Sequence, residues 1–109
     1  MDHPRRTLTP SETADDLAGT AFVHTGDRLD GAYRTDDFAS AVELLDEVAA
    51  VADALGHHPD VRLGWGRIDF TLSSHDVGGV TSRDLELARR IDALADGLGA
   101  RPGNRPGDG

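Results

Sequence analysis

Apolar residues along this chain keep two rhythms. In "RIDFTLS", Arg67 to Ser73, Ile68, Phe70 and Leu72 alternate with polar Asp69, Thr71 and Ser73, the period of a half-buried strand. Over Phe38, Val42, Leu45, Val48, Ala52 and Leu55 the steps are three and four, which predicts a helix with these six on one face. Thr35 or Asp36 caps its start; Gly56 suits its end, and Pro59 forbids continuation. A shorter helix, Pro10 to Ala18, follows from "TPSE", with Thr9 as N-cap, Pro10 in the first turn and Glu12 closing a capping box. "TSRD" repeats the device with Thr81 and Asp84, opening a last helix that buries Leu85, Ala88, Ile91, Leu94 or Ala95, and Leu98.

Two hairpins fill the intervals. Ala21 to His24 faces Arg28 to Arg34 around Thr25-Gly26-Asp27, and Val61 to Trp65 faces Arg67 to Ser74 around Gly64 and Gly66. The order α-β-β-α-β-β-α predicts an α+β domain over residues 9–99, a four-stranded antiparallel sheet with three helices on one face. Residues 1–8 read as a flexible lead-in. Residues 100–109, "ARPGNRPGDG", read as a disordered tail with nothing to pack. "RIDFTLSS" lacks proline or lysine to blunt an edge, so it is expected to pair with a second copy in a homodimer or homotetramer.

Charge and composition narrow the function. Twenty acids face eleven bases, every one arginine, for a net charge of −9, which opposes nucleic-acid binding. No apolar run approaches the ~18 residues of a membrane span, and "MDHPRRTLTP" lacks the apolar core of a signal peptide. A cytoplasmic protein with no membrane association is expected. The absence of cysteine removes thiolate nucleophiles and disulfides.

The remaining chemistry lies in histidine. "GHHPDV" sets His57 and His58 between a helix end and a strand, and "LSSHDVGG" places His75 at a strand end. Adjacent residues in an extended segment point to opposite sides, so the pair is a poor chelate and no metal site is expected. Imidazole, with an ordinary pKa of about 6.5, both gives and takes protons near neutrality. Several imidazoles around one substrate suit an elimination in which one proton leaves while a hydroxyl is protonated and expelled.

"DALGHHPD", an aromatic at Trp65 and "IDFTLSSHDVGGVTSRDLELARRID" together resemble the signature of the pterin-4a-carbinolamine dehydratases. The likeness runs from about Leu8 to Ala95, with its specific core at Asp53 to Asp84. It implies this α+β fold and dehydration of 4a-hydroxytetrahydropterin to quinonoid dihydropterin, the recycling step after an aromatic amino acid hydroxylase. No metal or organic cofactor is implied. The family's catalytic histidines fall on His57, His58 and His75. Contacts to the pterin substrate fall on Asp53, Pro59, Trp65, Ser74 and Asp84, the last also serving as a helix cap.

Three positions depart from the family pattern: Val61 where a larger residue is usual, Phe22 near a common tryptophan, and Thr35 in "YRTDDF" at an aromatic position. They bear on substrate fit more than on chemistry. The fold also serves as a Rubisco assembly factor and, in animals, as a dimerisation cofactor for a homeodomain transcription factor. Neither role needs the three histidines, so their presence favours the enzyme over a scaffold.

Overall fold

The computed structural model describes residues 5–103. In chain order it contains α1 (Pro10–Leu17), β1 (Phe22–Thr25), β2 (Arg28–Arg34), α2 (Phe38–Leu55), β3 (Asp60–Gly64), β4 (Arg67–Leu72), α3 (Ser82–Gly97) and a two-residue β5 (Arg101–Pro102). The strands form one antiparallel sheet in the order β1-β2-β4-β3, with β5 paired to β2 beside β1. The helices cover one face, and no helix among the described residues is long and apolar enough to cross a membrane.

Local chemistry explains the helix starts. The Thr9 hydroxyl accepts the Glu12 N–H at 3.3 Å, and the Glu12 carboxylate accepts the Thr9 N–H at 2.9 Å. Thr81 and Asp84 form the same box at the head of α3. Such caps contribute about 1 kcal/mol each.

Helix α2 departs from expectation at its start. Asp37, not Thr35 or Asp36, is the N-cap, accepting the Ser40 N–H at 2.8 Å. Its buried face is Ala41, Leu44, Val48 and Ala52, while Phe38 and Val42 are exposed. At about 100° per residue, Val42 lies roughly 120° around the helix from Val48, whereas Ala41 lies within about 20° of it. Small alanine on the inward line let the larger Val42 mislead the pattern.

Strand β4 buries Ile68, Phe70 and Leu72 as the alternation requires. It is not an edge, however. Leu72 pairs with Leu29 of β2 and Phe70 with Val61 of β3, so both sides of β4 are occupied and it cannot pair with a second copy. The segments expected to be loose are also partly anchored. Leu8 is buried, with its N–H donating to Val80 O at 2.7 Å. Ala100 packs against the core, Arg101 and Pro102 pair with Arg34 and Tyr33, and the Gly103 N–H donates to Ala32 O. Residues 1–4 and 104–109 of the expected lead-in and tail lie outside the described residues.

The core centres on an aromatic row across the sheet. Tyr33 meets Phe22 and Phe70 edge to face, with centroids 6.2 and 6.1 Å apart. Its hydroxyl donates to Asp92 on α3 at 2.7 Å, and burial pushes its pKa up. Gly31 makes room for this row: a Cβ there would stand 2.6 Å from the Phe22 ring. Gly31→Ala is therefore expected to lower unfolding stability by about 1–3 kcal/mol, the usual cost of overpacking. Chemical denaturation measures this, and an unchanged midpoint would contradict it.

Candidate active site

Three element ends meet beside one buried carboxylate. Gly56 ends α2 in the left-handed region, φ 67°, which a residue with a Cβ adopts only under strain. The chain then turns out through His57, His58 and Pro59 into β3. Because Asp60 pairs with Thr71, the start of β3 and the end of β4 share one end of the sheet. Beyond β4, Ser74 and Gly79 form a bridge that closes the turn holding His75, and the chain enters α3 at Thr81.

Asp84 ties these ends together. Its side chain is fully buried, and its Oδ1 lies 2.6 Å from Nε2 of His57, whose own side chain is 13% exposed. Oδ2 accepts the Ser74 hydroxyl at 2.7 Å and the Thr81 N–H at 2.9 Å. A carboxylate buried without partners is untenable, and here Ser74, Thr81 and His57 supply them. An ionised carboxylate only accepts, so with Asp84 ionised the 2.6 Å contact requires the Nε2–H tautomer of a neutral His57, with Nδ1 as its acceptor. Among the described residues, no buried side-chain N or O lacks a hydrogen-bond partner.

His58 turns the other way. Its Nε2 meets Asp53 Oδ1 at 2.8 Å in an exposed pair, 60% and 77% accessible. The neighbouring imidazoles thus serve different carboxylates, one inside and one outside. His75 is exposed at the head of its turn. The next residue, Asp76, accepts from Arg83 of α3 at 2.8 Å, which fastens the turn to the helix. No three His, Asp or Glu side chains among the described residues stand where they could hold a metal ion.

The residues singled out by sequence thus fall into separate groups. His57, Ser74 and Asp84 are in direct contact, His75 adjoins them through Ser74, and His58 pairs with Asp53 at the end of α2. Pro59 is half-buried beside them. Trp65 is 75% exposed at the β3–β4 turn, the far end of β3 from the histidines, about 17 Å away at the rise of a strand. Thr81, read only as a cap, also lies in the network, 2.8 Å from Ser74 Oγ. Its position three residues before Asp84 signalled the cap, but nothing in the sequence signalled its contact with Ser74.

Residues 6–94 match the family model described as pterin 4 alpha carbinolamine dehydratase. The chain belongs to this family. A relative from Nocardia farcinica named for the same dehydratase is 43% identical over 94 residues, covering 81% of this chain and 99% of its own. Another from Thermosynechococcus vestitus is 35% identical over 89 residues, covering 81% and 94%. Among solved structures, a transcriptional coactivator/pterin dehydratase from Brucella melitensis superposes with a TM-score of 0.76 at 29% identity, covering 83% of this chain and 99% of that one. A pterin dehydratase-like protein identified as a RuBisCO assembly factor in the alpha-carboxysome gives 0.60 at 25% identity, covering 71% and 92%. The fold is therefore that of the pterin dehydratases, and the histidines stand where the ends of its β3, β4 and α3 meet.

The Asp76–Arg83 pair sets a pH dependence. The hydrogen bond from Arg83, aided by its charge, holds the Asp76 carboxyl below its ordinary value of 3.8. A carboxyl with a depressed folded pKa contributes stability above its unfolded pKa and loses it as pH falls through the folded one. The melting temperature of Asp76→Asn should lie below wild type at about pH 6, with the gap closing towards about pH 3. A gap that stays constant over that range would show that the pair does not hold the turn.

Proposed function

We infer that this protein dehydrates 4a-hydroxytetrahydropterin to quinonoid dihydropterin and water, serving tetrahydropterin recycling. The observation that carries this reading is the coexistence of three histidines with the buried Asp84 in a chain of the pterin dehydratase family. The reaction breaks the bond from carbon 4a to its hydroxyl and the N–H on the adjacent ring nitrogen, and forms a C=N bond between them. One group must take the nitrogen's proton, and another must give a proton to the departing hydroxyl. His57 suits the first of these transfers. In the tautomer that holds its Nε2–H on Asp84, Nδ1 is the atom to take the proton, and the carboxylate would stabilise the imidazolium. His58 and His75, both exposed, suit proton delivery to the hydroxyl and exchange with solvent. Proton transfers complete the scheme, so no metal or organic cofactor enters it.

Asp53 orients His58, and Pro59 stiffens the segment that carries both histidines. Trp65 would reach a bound pterin only if the substrate, or another copy of the chain, brought it near. The likeness to a RuBisCO assembly factor supports a second reading, a scaffold that assembles other proteins. A scaffold has no use for an imidazole held by a buried carboxylate, so the enzyme reading is the better supported.

A dehydration assay on freshly generated 4a-hydroxytetrahydropterin tests this. Wild type should accelerate the reaction, and His58→Ala and His75→Ala should each lose roughly 10²–10⁴-fold. Wild-type rates equal to buffer would sink the enzyme reading.

A further inference from the structure

Ser74 touches both halves of the histidine arrangement. It is 1% exposed, with its hydroxyl 2.7 Å from Asp84 Oδ2 and 2.8 Å from Thr81 Oγ1. A serine has one hydroxyl hydrogen; given to the carboxylate, it leaves Thr81 as the donor to Ser74. Thr81 Oγ1 in turn accepts the Arg83 N–H at 3.2 Å and its Nε–H at 3.3 Å. Donors therefore run in one direction, from Arg83 through Thr81 and Ser74 to Asp84, ending opposite His57. The backbone of the same serine closes the His75 turn. Its N–H donates to Gly79 O at 2.8 Å, and its carbonyl accepts from the N–H of Val77 at 3.1 Å and of Gly78 at 2.9 Å.

We propose that Ser74 is a positioning residue for the dehydration reaction: its buried hydroxyl fixes the Asp84 carboxylate and hence the tautomer and orientation of His57, while its backbone sets the His75 turn. The hydroxyl, expected from sequence to meet the pterin, faces the protein. Without it the buried carboxylate keeps two of its three donors and can rotate, and His57 follows. Misplacing a reacting group by about 1 Å can cost up to roughly 100-fold. The catalytic half of this inference rests on the dehydratase reading, whereas the geometric half does not.

Nitrogen NMR of the full-length chain, paired with steady-state kinetics, separates the two. In wild type, His57 should be protonated at Nε2 and not at Nδ1 when neutral, with a slowly exchanging Nε2 proton. Ser74→Ala should mix the tautomers, speed that exchange and lower kcat roughly 10- to 100-fold, with KM within about twofold. Ser74→Thr, which keeps the hydroxyl, should restore both readouts. Should Ser74→Ala not fold, Ser74→Cys, whose thiol is a weak donor, carries the same expectations. Unchanged His57 signals with wild-type kcat, a loss confined to KM, or Ser74→Thr behaving like the alanine or cysteine variant would each overturn the proposal. An inactive wild type would overturn the dehydratase reading and the kinetic claim with it, while the His57 signals would still decide the geometry.

Discussion

A single buried carboxylate organises the end of the molecule that carries the histidines. Asp84 has no access to water, so its carboxylate must be satisfied within the protein, and its partners come from three separate stretches of chain. Meeting that requirement draws His57, beyond α2, and Ser74, beyond β4, to the head of α3. Losing one partner would leave a buried donor unsatisfied, at about 1–3 kcal/mol, or a buried charge uncompensated, at more. The stability of the fold and the geometry of the site are therefore one constraint. Asp84 need not choose between capping a helix and serving a histidine, since its two oxygens do one each.

The two adjacent histidines illustrate how a backbone assigns roles. Extended geometry sends consecutive side chains to opposite sides. One imidazole is thereby anchored against a buried carboxylate and the other left in solvent with an exposed acid. An exposed pair of this kind contributes little to stability, about 0–1 kcal/mol. In this chain a buried imidazole–carboxylate pair therefore stands beside an exposed one.

Much of this was legible in the sequence, and the exceptions have physical reasons. The capping residues Thr9, Glu12, Thr81 and Asp84 announced α1 and α3 because capping is local, settled within four residues. Alternation identified the buried face of β4 for the same reason. Strand order is not local: nothing within "RIDFTLSS" says that it lies between β2 and β3 and is not an edge. The buried line of α2 was obscured because Ala41, inward, is less apolar than Val42, outward. The ordered pairing of Arg101 and Pro102 depends on vacant backbone groups of β2 beyond the end of β1, which only the assembled sheet reveals. In the site, the histidines and Asp84 could be named from their motif, but the place of Thr81 in the network required the meeting of β4 and α3.

If Asp84 and His57 act as one unit, their contributions to the reaction cannot be independent. A double-mutant cycle on the rate of 4a-hydroxytetrahydropterin dehydration, using Asp84→Asn, His57→Ala and the pair together, measures that directly. The account predicts that the double variant is no slower than the slower single variant, as for residues that work through one another. Losses that multiply, each substitution costing the same in the presence or absence of the other, would contradict it.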